Sequence, residues 1–224
     1  MAAKHINTII EQFKTKLKEP AGLVAQLKMA PKLREKELLL YNNNDIKSKS
    51  AVLILLYIQN NEIYIVLTKR SANLRKHSGQ ISFPGGKFDE RDKDLSVTAF
   101  REAKEEIGFE REGVEILGWL TTLIIPVTNF EVHPLVIFSK QEPKLKISEE
   151  EVDCIIKTSI KDLLNLKNIK RTSFGNSTSG RFIKAPYFEI EGYKVWGATA
   201  MIISELLLTL FPESDYEKHN MSFY

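Results

Sequence analysis

The chain has 224 residues, of which 43% are hydrophobic and 27% are charged, and its net charge is +3 at pH 7. These values are ordinary for a globular domain with a sizeable core, and so small a positive charge gives no argument for nucleic-acid binding. No apolar run is long enough to span a membrane, and the N-terminus lacks the apolar core of a signal peptide. The single cysteine, Cys154, excludes an intrachain disulfide and suits a reducing compartment. The composition therefore predicts a cytoplasmic protein without a nucleic-acid or membrane partner.

Apolar residues recur at helical spacing in the first eighteen residues and predict an amphipathic helix; they are Ile6, Ile9, Ile10, Phe13 and Leu17. Its apolar face is expected to pack on the rest of the chain or on a partner subunit, so the sequence leaves a homodimer open. Pro20 should end this helix, and the polar residues 42–45 indicate a loop. We therefore predict an N-terminal helical extension over residues 1–45, a main domain over 46–212 and a polar tail over 213–224.

Two apolar segments, 51–58 and 63–68, are separated by four turn-forming residues and predict a β-hairpin. Further strands are expected over residues 114–122, 132–139 and 152–158. The His133-Pro134 pair indicates an edge strand or a bulge, because proline cannot donate a ladder hydrogen bond.

The C-terminal part of the chain begins with a short helix over residues 161–166, for which Ser159 is the predicted cap. Residues 171–181 are rich in Gly, Ser, Thr and Asn and predict a flexible loop. A closing hairpin and an apolar helix should follow, over residues 181–188, 193–196 and 198–210.

A glycine pair followed by an acidic helix stands near the middle of the chain. Gly85 and Gly86 allow the backbone to turn sharply and to approach a ligand closely. In the predicted helix beyond them, Glu102, Glu105 and Glu106 fall within about a 100° arc. Such carboxylates repel one another, and Mg²⁺ binds oxygen ligands together with substrate phosphates. The pattern therefore indicates a metal site or, alternatively, a solvated acidic helix face.

This stretch resembles the Nudix box, in which Gly, five residues, Glu and seven residues precede an Arg-Glu-x-x-Glu-Glu-x-Gly core. Here Gly86, five residues and Asp92 are followed by REAKEEIGF from Arg101 to Phe109. Asp92 replaces the usual Glu and eight residues precede Arg101, but the spacing of the acidic residues in the helix is intact. The resemblance implies an α/β fold: an α/β/α sandwich with a mixed β-sheet, to which the N-terminal helical extension is added.

The segment before the box resembles the coenzyme A diphosphatase subgroup of the Nudix enzymes. It reads VLTKRS from Val66, then Arg75, Gly79 and FPGG from Phe83, and only Val66, where Leu is usual, departs from the subgroup motif. The resemblance implies hydrolysis of coenzyme A or acyl-CoA to 4′-phosphopantetheine and adenosine 3′,5′-bisphosphate. The alternatives are a Nudix hydrolase of ADP-ribose, NADH or a dinucleoside polyphosphate, and a module that senses nucleotides without cleaving them.

Candidate substrate-binding residues lie in this same segment. Lys69, Arg70 and Arg75 could hold phosphates, since Arg can bind phosphate bidentately; the alternative is that they are solvated loop charges. The set of predicted substrate-binding residues is completed by Phe83, Gly85 and Gly86. Phe130 is a candidate for stacking on an adenine, with a buried aromatic as the alternative.

The resemblance also suggests roles for the acidic residues. Glu102, Glu105 and Glu106 are expected to hold Mg²⁺ or Mn²⁺, which lowers the pKa of a bound water for attack on phosphorus. Either Glu105 or Glu151, which directly precedes the predicted strand 152–158, could remove the proton from that water. Arg101, four residues before Glu105, is expected to orient the carboxylates.

Overall fold

The computed structural model describes residues 3–31, 48–72, 79–126, 129–176 and 181–212. The predicted phosphate-binding Arg75, the predicted loop at 42–45 and the predicted tail 213–224 lie outside these ranges. The helices are α1 (Ala3–Lys16), α2 (Gly22–Leu27), α3 (Leu95–Ile107), α4 (Ile160–Leu164) and α5 (Gly197–Leu210). The strands are β1 (Ser48–Gln59), β2 (Glu62–Arg70), β3 (Ile81–Ser82), β4 (Gly85–Lys87), β5 (Val114–Trp119), β6 (Leu123–Ile125), β7 (Phe130–Ser139), β8 (Val152–Ser159), β9 (Ile169–Asn176), β10 (Arg181–Ile190) and β11 (Tyr193–Trp196).

Eight of these strands form one mixed sheet, with the order β3-β2-β1-β7-β5; β4 pairs with β1, β6 with β7 and β8 with β2. Strand β1 runs parallel to β7 and antiparallel to β2. Gln59 pairs with Glu62 across the predicted hairpin turn, where Asn60 and Asn61 have φ of 50° and 62°. Asparagine tolerates this left-handed conformation, which suits two-residue hairpin turns. The hairpin prediction is therefore confirmed.

Helices cover both faces of the mixed sheet, as the predicted sandwich requires. Helix α3 packs Ala99, Ala103 and Ile107 on one face, in a smaller core with residues of β1 and β7. The opposite face carries the larger core, to which α1, α2 and α5 all contribute. Among the described residues, no helix is both long and apolar enough to cross a membrane.

The N-terminal helices are built into the larger core. Phe13 of α1 and Met29, just after α2, are buried against residues of α5 and the sheet. The carboxylate of Glu205 in α5 is fully buried, and its Oε1 accepts hydrogen bonds from the backbone N–H groups of Gly22 (3.2 Å) and Thr121 (2.9 Å). Its Oε2 accepts from Gln26 Nε2 at 2.7 Å. One side chain of α5 thus joins α2 to the segment that follows β5.

The flexible loop predicted over residues 171–181 is wrong in its described part. Strand β9 covers most of it and pairs with β10 from Ile169–Phe188 to Asn176–Arg181 in a separate sheet of order β11-β10-β9. The ring of Phe174 stacks on Trp196, with centroids 4.1 Å apart and planes at 6°. That aromatic contact and the ladder hydrogen bonds outweigh the turn-like composition of the segment.

Of the two alternatives predicted from His133-Pro134, an edge strand or a bulge, the edge strand is wrong, because β7 lies inside the sheet between β1 and β5. Pro134 is tolerated because residues 120–122, between β5 and β6, do not pair with β7 as a regular strand. The carbonyl of Pro134 instead accepts a hydrogen bond from Leu120 N at 3.0 Å. The irregularity in register lies in β5, between Ile116 and Gly118.

Replacing Glu205 with alanine should lower the free energy of unfolding by about 3 kcal/mol or more, because the carboxylate is fully buried and three donors lose their acceptor. Glu11→Ala is the matched control, since the Glu11 side chain is 71% exposed. This control should change the unfolding free energy by less than about 0.5 kcal/mol. Urea denaturation followed by circular dichroism measures both. A loss below about 1 kcal/mol for Glu205→Ala would contradict this role.

Candidate active site

Helix α3 has a capping residue at each end, Asp94 before it and Gly108 after it. Because these caps set where the helix begins and ends, the helical period then sets which face its acidic residues occupy. The Oδ1 atom of Asp94 accepts hydrogen bonds from Ser96 N (2.8 Å) and Val97 N (3.1 Å), as an N-cap does. Gly108 ends the helix in the left-handed conformation, with φ of 62°. Between these ends, the apolar residues of α3 face the smaller core, and the acidic residues face β4 and solvent.

The glycine pair of β4 brings backbone against two of these carboxylates. Gly85 N donates a hydrogen bond to Glu106 Oε2 at 3.2 Å. A Cβ atom on Gly86 would lie 2.4 Å from Cδ and Oε2 of Glu102, far inside van der Waals contact. A side chain at position 86 and the observed position of Glu102 are therefore mutually exclusive, which is why this close approach requires glycine.

Glu106 is a buried carboxylate with an unusual environment. It is 2% exposed, and burial raises its pKa to about 7 even though the Gly85 hydrogen bond and the Arg70 charge oppose the rise. The negative charges of Glu102 and Glu151 add to the rise. Arg70 Nη1 lies 3.3 Å from Glu106 Oε1. Burial also raises the pKa of Glu102, so a nearby cation would stabilise the charged form of both carboxylates.

Arg101 holds the other carboxylates in place. Its Nε and Nη2 donate to Oδ1 (3.1 Å) and Oδ2 (3.0 Å) of Asp92, which is a bidentate pair. Its Nη1 donates to Glu102 Oε1 (2.8 Å) and Glu105 Oε2 (3.0 Å). The pKa of Asp92 is lowered mainly by the hydrogen bonds from Arg101, and Asp92 also accepts from Thr98 Oγ1 at 2.8 Å. Arg101 thus contacts three carboxylates at once, and the orienting role predicted for it stays a prediction.

No role was predicted from the sequence for Asp92, although it belongs to this network. It is 7% exposed and anchors Arg101, although it appeared in the sequence only as a departure from the Nudix box. Its position six residues after Gly86 is the signal that marks it, because an acidic residue is expected there. The shorter aspartate side chain still reaches the guanidinium of Arg101.

The two candidate bases differ in their surroundings. The Glu105 side chain is 51% exposed and is paired with Arg101. Glu151 carries a charge that raises the pKa of both Glu102 and Glu106, so its carboxylate acts on these two groups. Its backbone carbonyl accepts a hydrogen bond from Ser71 N at 2.9 Å, which fixes it beside the end of β2.

The predicted substrate-binding residues do not all meet at the carboxylates. Arg70 does, through Glu106, but Lys69 extends from the other face of β2, where its Nζ lies 3.1 Å from Asp153 Oδ2. The phenyl ring of Phe83 is 2% exposed and belongs to the larger core, which leaves its backbone for a ligand. The predicted substrate contacts of Arg70, Gly85 and Gly86 remain the ones that this geometry favours.

The site thus lies where an acidic helix is held against a glycine strand of a mixed sheet between helical layers. Residues 47–173 match the family described as NUDIX domain. The "Uncharacterized Nudix hydrolase NudL" of Cronobacter sakazakii is 31% identical over 169 residues, which cover 75% of this chain and 86% of the relative. The protein of the same description from Citrobacter koseri is 32% identical with the same coverage.

The solved structures include a C. elegans Ap4A hydrolase binary complex that is 20% identical and covers 53% of this chain and 84% of that chain, with a TM-score of 0.45. The family match and the two relatives show that this chain belongs to the Nudix family. It is therefore an enzyme, a pyrophosphohydrolase.

Nudix hydrolases generally need a divalent metal ion such as Mg²⁺ or Mn²⁺. The donor chemistry here fits such an ion, because buried carboxylate oxygens repel one another beside a glycine cradle. Within the described ranges, however, no three His, Cys, Asp or Glu side chains converge into a ready metal site. The carboxylates of Glu102, Glu105 and Glu106 are instead paired with Arg101 and Arg70. Binding a cation thus requires these side chains to shift by rotation about their own bonds.

Substituting the two glycines of β4 separately should give two different failures. Gly86→Ala should fold and lose at least about tenfold in kcat/KM, because only the mobile carboxylate of Glu102 must move and misplacement of this size costs rate. In Gly85→Ala the added Cβ would lie 2.4 Å from the carbonyl oxygen of Ala51 and 2.6 Å from Val52 Cα, so the fold itself should be destabilised. Thermal unfolding together with steady-state kinetics separates the two outcomes. Full activity of Gly86→Ala would contradict the close approach of Glu102.

Proposed function

We propose that this enzyme hydrolyses coenzyme A or an acyl-CoA at its diphosphate, giving 4′-phosphopantetheine and adenosine 3′,5′-bisphosphate. The observation that carries the proposal is that one segment, residues 66–86, contains the subgroup motif and supplies both groups that contact Glu106. These groups are the guanidinium of Arg70 (3.3 Å) and the backbone N–H of Gly85 (3.2 Å). Two residues of the motif, Arg70 and Gly85, thus lie at the buried carboxylate, where a diphosphate would be activated.

Glu102 and Glu106 are the residues best suited to hold the metal ion, and Glu105 can join them by leaving Arg101. A divalent ion bound there supplies neutralisation of the phosphate charge and a bound water of lowered pKa. Glu102 and Glu106 are held in advance by Arg101, by Gly85 and by the close approach of Gly86. The chain therefore holds these two carboxylates beside β4 before the ion binds, and a rotation of their side chains away from the arginines would complete the site.

Arg70 is the residue proposed to bind a substrate phosphate. Its side chain is 28% exposed, and among the described residues its ion pair is with Glu106 alone, at 3.3 Å, whereas Arg101 pairs with three carboxylates. A phosphate is a stronger bidentate partner for Arg than one carboxylate oxygen. When a cation takes over the charge of Glu106, Arg70 is free to turn to the diphosphate.

Glu151 is the base that the geometry favours. Its charge raises the pKa of both Glu102 and Glu106, so its carboxylate lies near both of them, and we assign it the proton of the attacking water. Glu105 is held by Arg101 on the exposed side of the helix, which makes it a worse acceptor for that proton. A positioned carboxylate that removes a proton contributes about 10²- to 10⁴-fold to the rate.

A substrate panel tests the function directly. Turnover of coenzyme A with Mg²⁺ is compared with turnover of ADP-ribose, NADH and dinucleoside polyphosphates, and the products are identified by mass. Coenzyme A should have the highest kcat/KM. A tenfold preference for another substrate would overturn the coenzyme A assignment and leave the enzyme class intact.

The Glu106→Gln variant should lose at least about 100-fold in kcat with the fold retained, because the substitution removes a ligand charge from the metal site.

The base is tested by three single substitutions of similar size. Glu151→Gln should lower kcat by about 10²- to 10⁴-fold, and Glu105→Gln should lower it by less than about tenfold. Glu150→Gln, one residue away in the same turn, is the matched control and should leave kcat unchanged. Steady-state kinetics at saturating Mg²⁺ measures all three. If Glu105→Gln proves the more damaging substitution, the roles of the two residues are reversed.

A further inference from the structure

The face of the mixed sheet that carries α3 changes character along β7. Leu135 and Ile137 are buried on that face in the smaller core. Because alternate residues of a strand share a face, Glu131 and His133 lie on the same side, nearer the start of the strand. Their side chains are 19% and 21% exposed. The sheet is thus apolar where α3 covers it and polar just beyond the helix.

The register of the sheet sets the distance between this polar region and the carboxylates. Gly86 pairs with Ala51 in β1, and Ala51 pairs with His133 in β7. Neighbouring strands are about 4.8 Å apart, so the backbones at Gly86 and His133 are separated by roughly 10 Å. Glu102 lies against Gly86, on the same face. A ligand held by its phosphates at Glu102 could therefore extend across β1 toward His133.

His133 is held by hydrogen bonds on both ring nitrogens. Its Nδ1 lies 3.2 Å from Thr122 Oγ1, and its Nε2 lies 3.4 Å from Glu131 Oε2. The ring of Trp119 stands perpendicular to it, with centroids 6.5 Å apart. The two partners of His133 therefore fix the ring against which Trp119 rests.

Trp119 is 37% exposed, and it pairs with Leu135, which puts its indole on the α3 face. An accessible indole is a good surface for a flat heterocycle, because base–aromatic stacking is favourable for every base. Phe130, which the sequence suggested for this task, is adjacent to Glu131 in β7 and so shares the opposite face with Val132. The aromatic residue on the correct face is Trp119.

We propose that the nucleobase of the substrate stacks on Trp119, and that His133, held by Thr122 and Glu131, is a positioning residue for the indole. This assignment rests on the proposed function for the identity of the nucleotide, which is an adenosine phosphate. The diphosphate lies at Glu102 and Glu106, and the base lies two strands away. The other half of the substrate does not contact Trp119.

The two halves of the substrate provide the test, because each product carries only one of them. Binding of adenosine 3′,5′-bisphosphate and of 4′-phosphopantetheine is measured separately by calorimetry with Mg²⁺ present, which does not depend on turnover. Trp119→Ala should weaken binding of the adenosine product by about 5- to 150-fold and leave binding of 4′-phosphopantetheine unchanged. Trp119→Phe, which keeps an aromatic face, should restore most of the affinity. In kinetics, Trp119→Ala should raise KM with little change in kcat.

Two control variants separate stacking from a structural role. Phe182→Ala removes an aromatic side chain that is 59% exposed in the β9–β11 sheet, and it should change neither affinity. His133→Ala should weaken the adenosine product selectively, and by less than Trp119→Ala does. Equal weakening of both products by Trp119→Ala, or weakening of 4′-phosphopantetheine alone, would overturn the proposal. If coenzyme A is not hydrolysed but the selective loss of the adenosine product persists, the proposed substrate fails and the stacking site stands.

Discussion

Removing a carboxylate from water is unfavourable, and this protein does so at Glu106, inside the contact between α3 and β4. The contact forms because β4 begins with two residues that have no side chain, so that backbone replaces side chain on the surface facing the helix. Water that would solvate the carboxylate is excluded and only partly replaced by one backbone N–H and one guanidinium. The pKa of Glu106 is raised because this lost solvation is only partly replaced, and a bound cation would stabilise the charged carboxylate.

The positive charges around the helix come from two directions and have different commitments. Arg101 belongs to α3 and is locked to Asp92, Glu102 and Glu105, so it stabilises the arrangement of the helix with its neighbouring loop. Arg70 comes from the sheet, and within the described part of the chain its ion pair is the 3.3 Å contact with Glu106. In the proposed mechanism, Arg101 is the fixed cation that organises the ligands, and Arg70 is the cation that exchanges its partner during catalysis.

Much of this arrangement could be predicted from the sequence, since it depends on residues close together in the chain. The acidic face of α3 and the β1–β2 hairpin follow from periodicity and turn chemistry within a dozen residues. What could not be predicted depends on distant pairing. Lys69 and Arg70 are adjacent, but the alternation of β2 sends them to opposite faces.

The two wrong predictions of secondary structure, at residues 171–181 and at Pro134, have the same origin. The composition of residues 171–181 indicates a loop, yet the ring of Phe174 stacks on Trp196, about twenty residues later in the chain, and the segment forms a strand. Pro134 indicates an edge strand or a bulge, yet β7 is an inner strand, and proline fits there because the pairing on its β5–β6 side is interrupted at residues 120–122. Local composition in both cases was overruled by a tertiary partner that no short window contains.

The hydrogen bonds that join Glu205 to Gly22, Gln26 and Thr121 also bear on how far this chain can be shortened. The family match ends within β9 and leaves out α1, α2 and α5, although these helices supply one wall of the larger core. A protein trimmed to residues 47–173 would expose the apolar underside of its sheet, including Leu67 and Val136, to solvent. Apolar areas of that kind drive self-association. The larger core of this hydrolase therefore extends beyond the residues of its family signature.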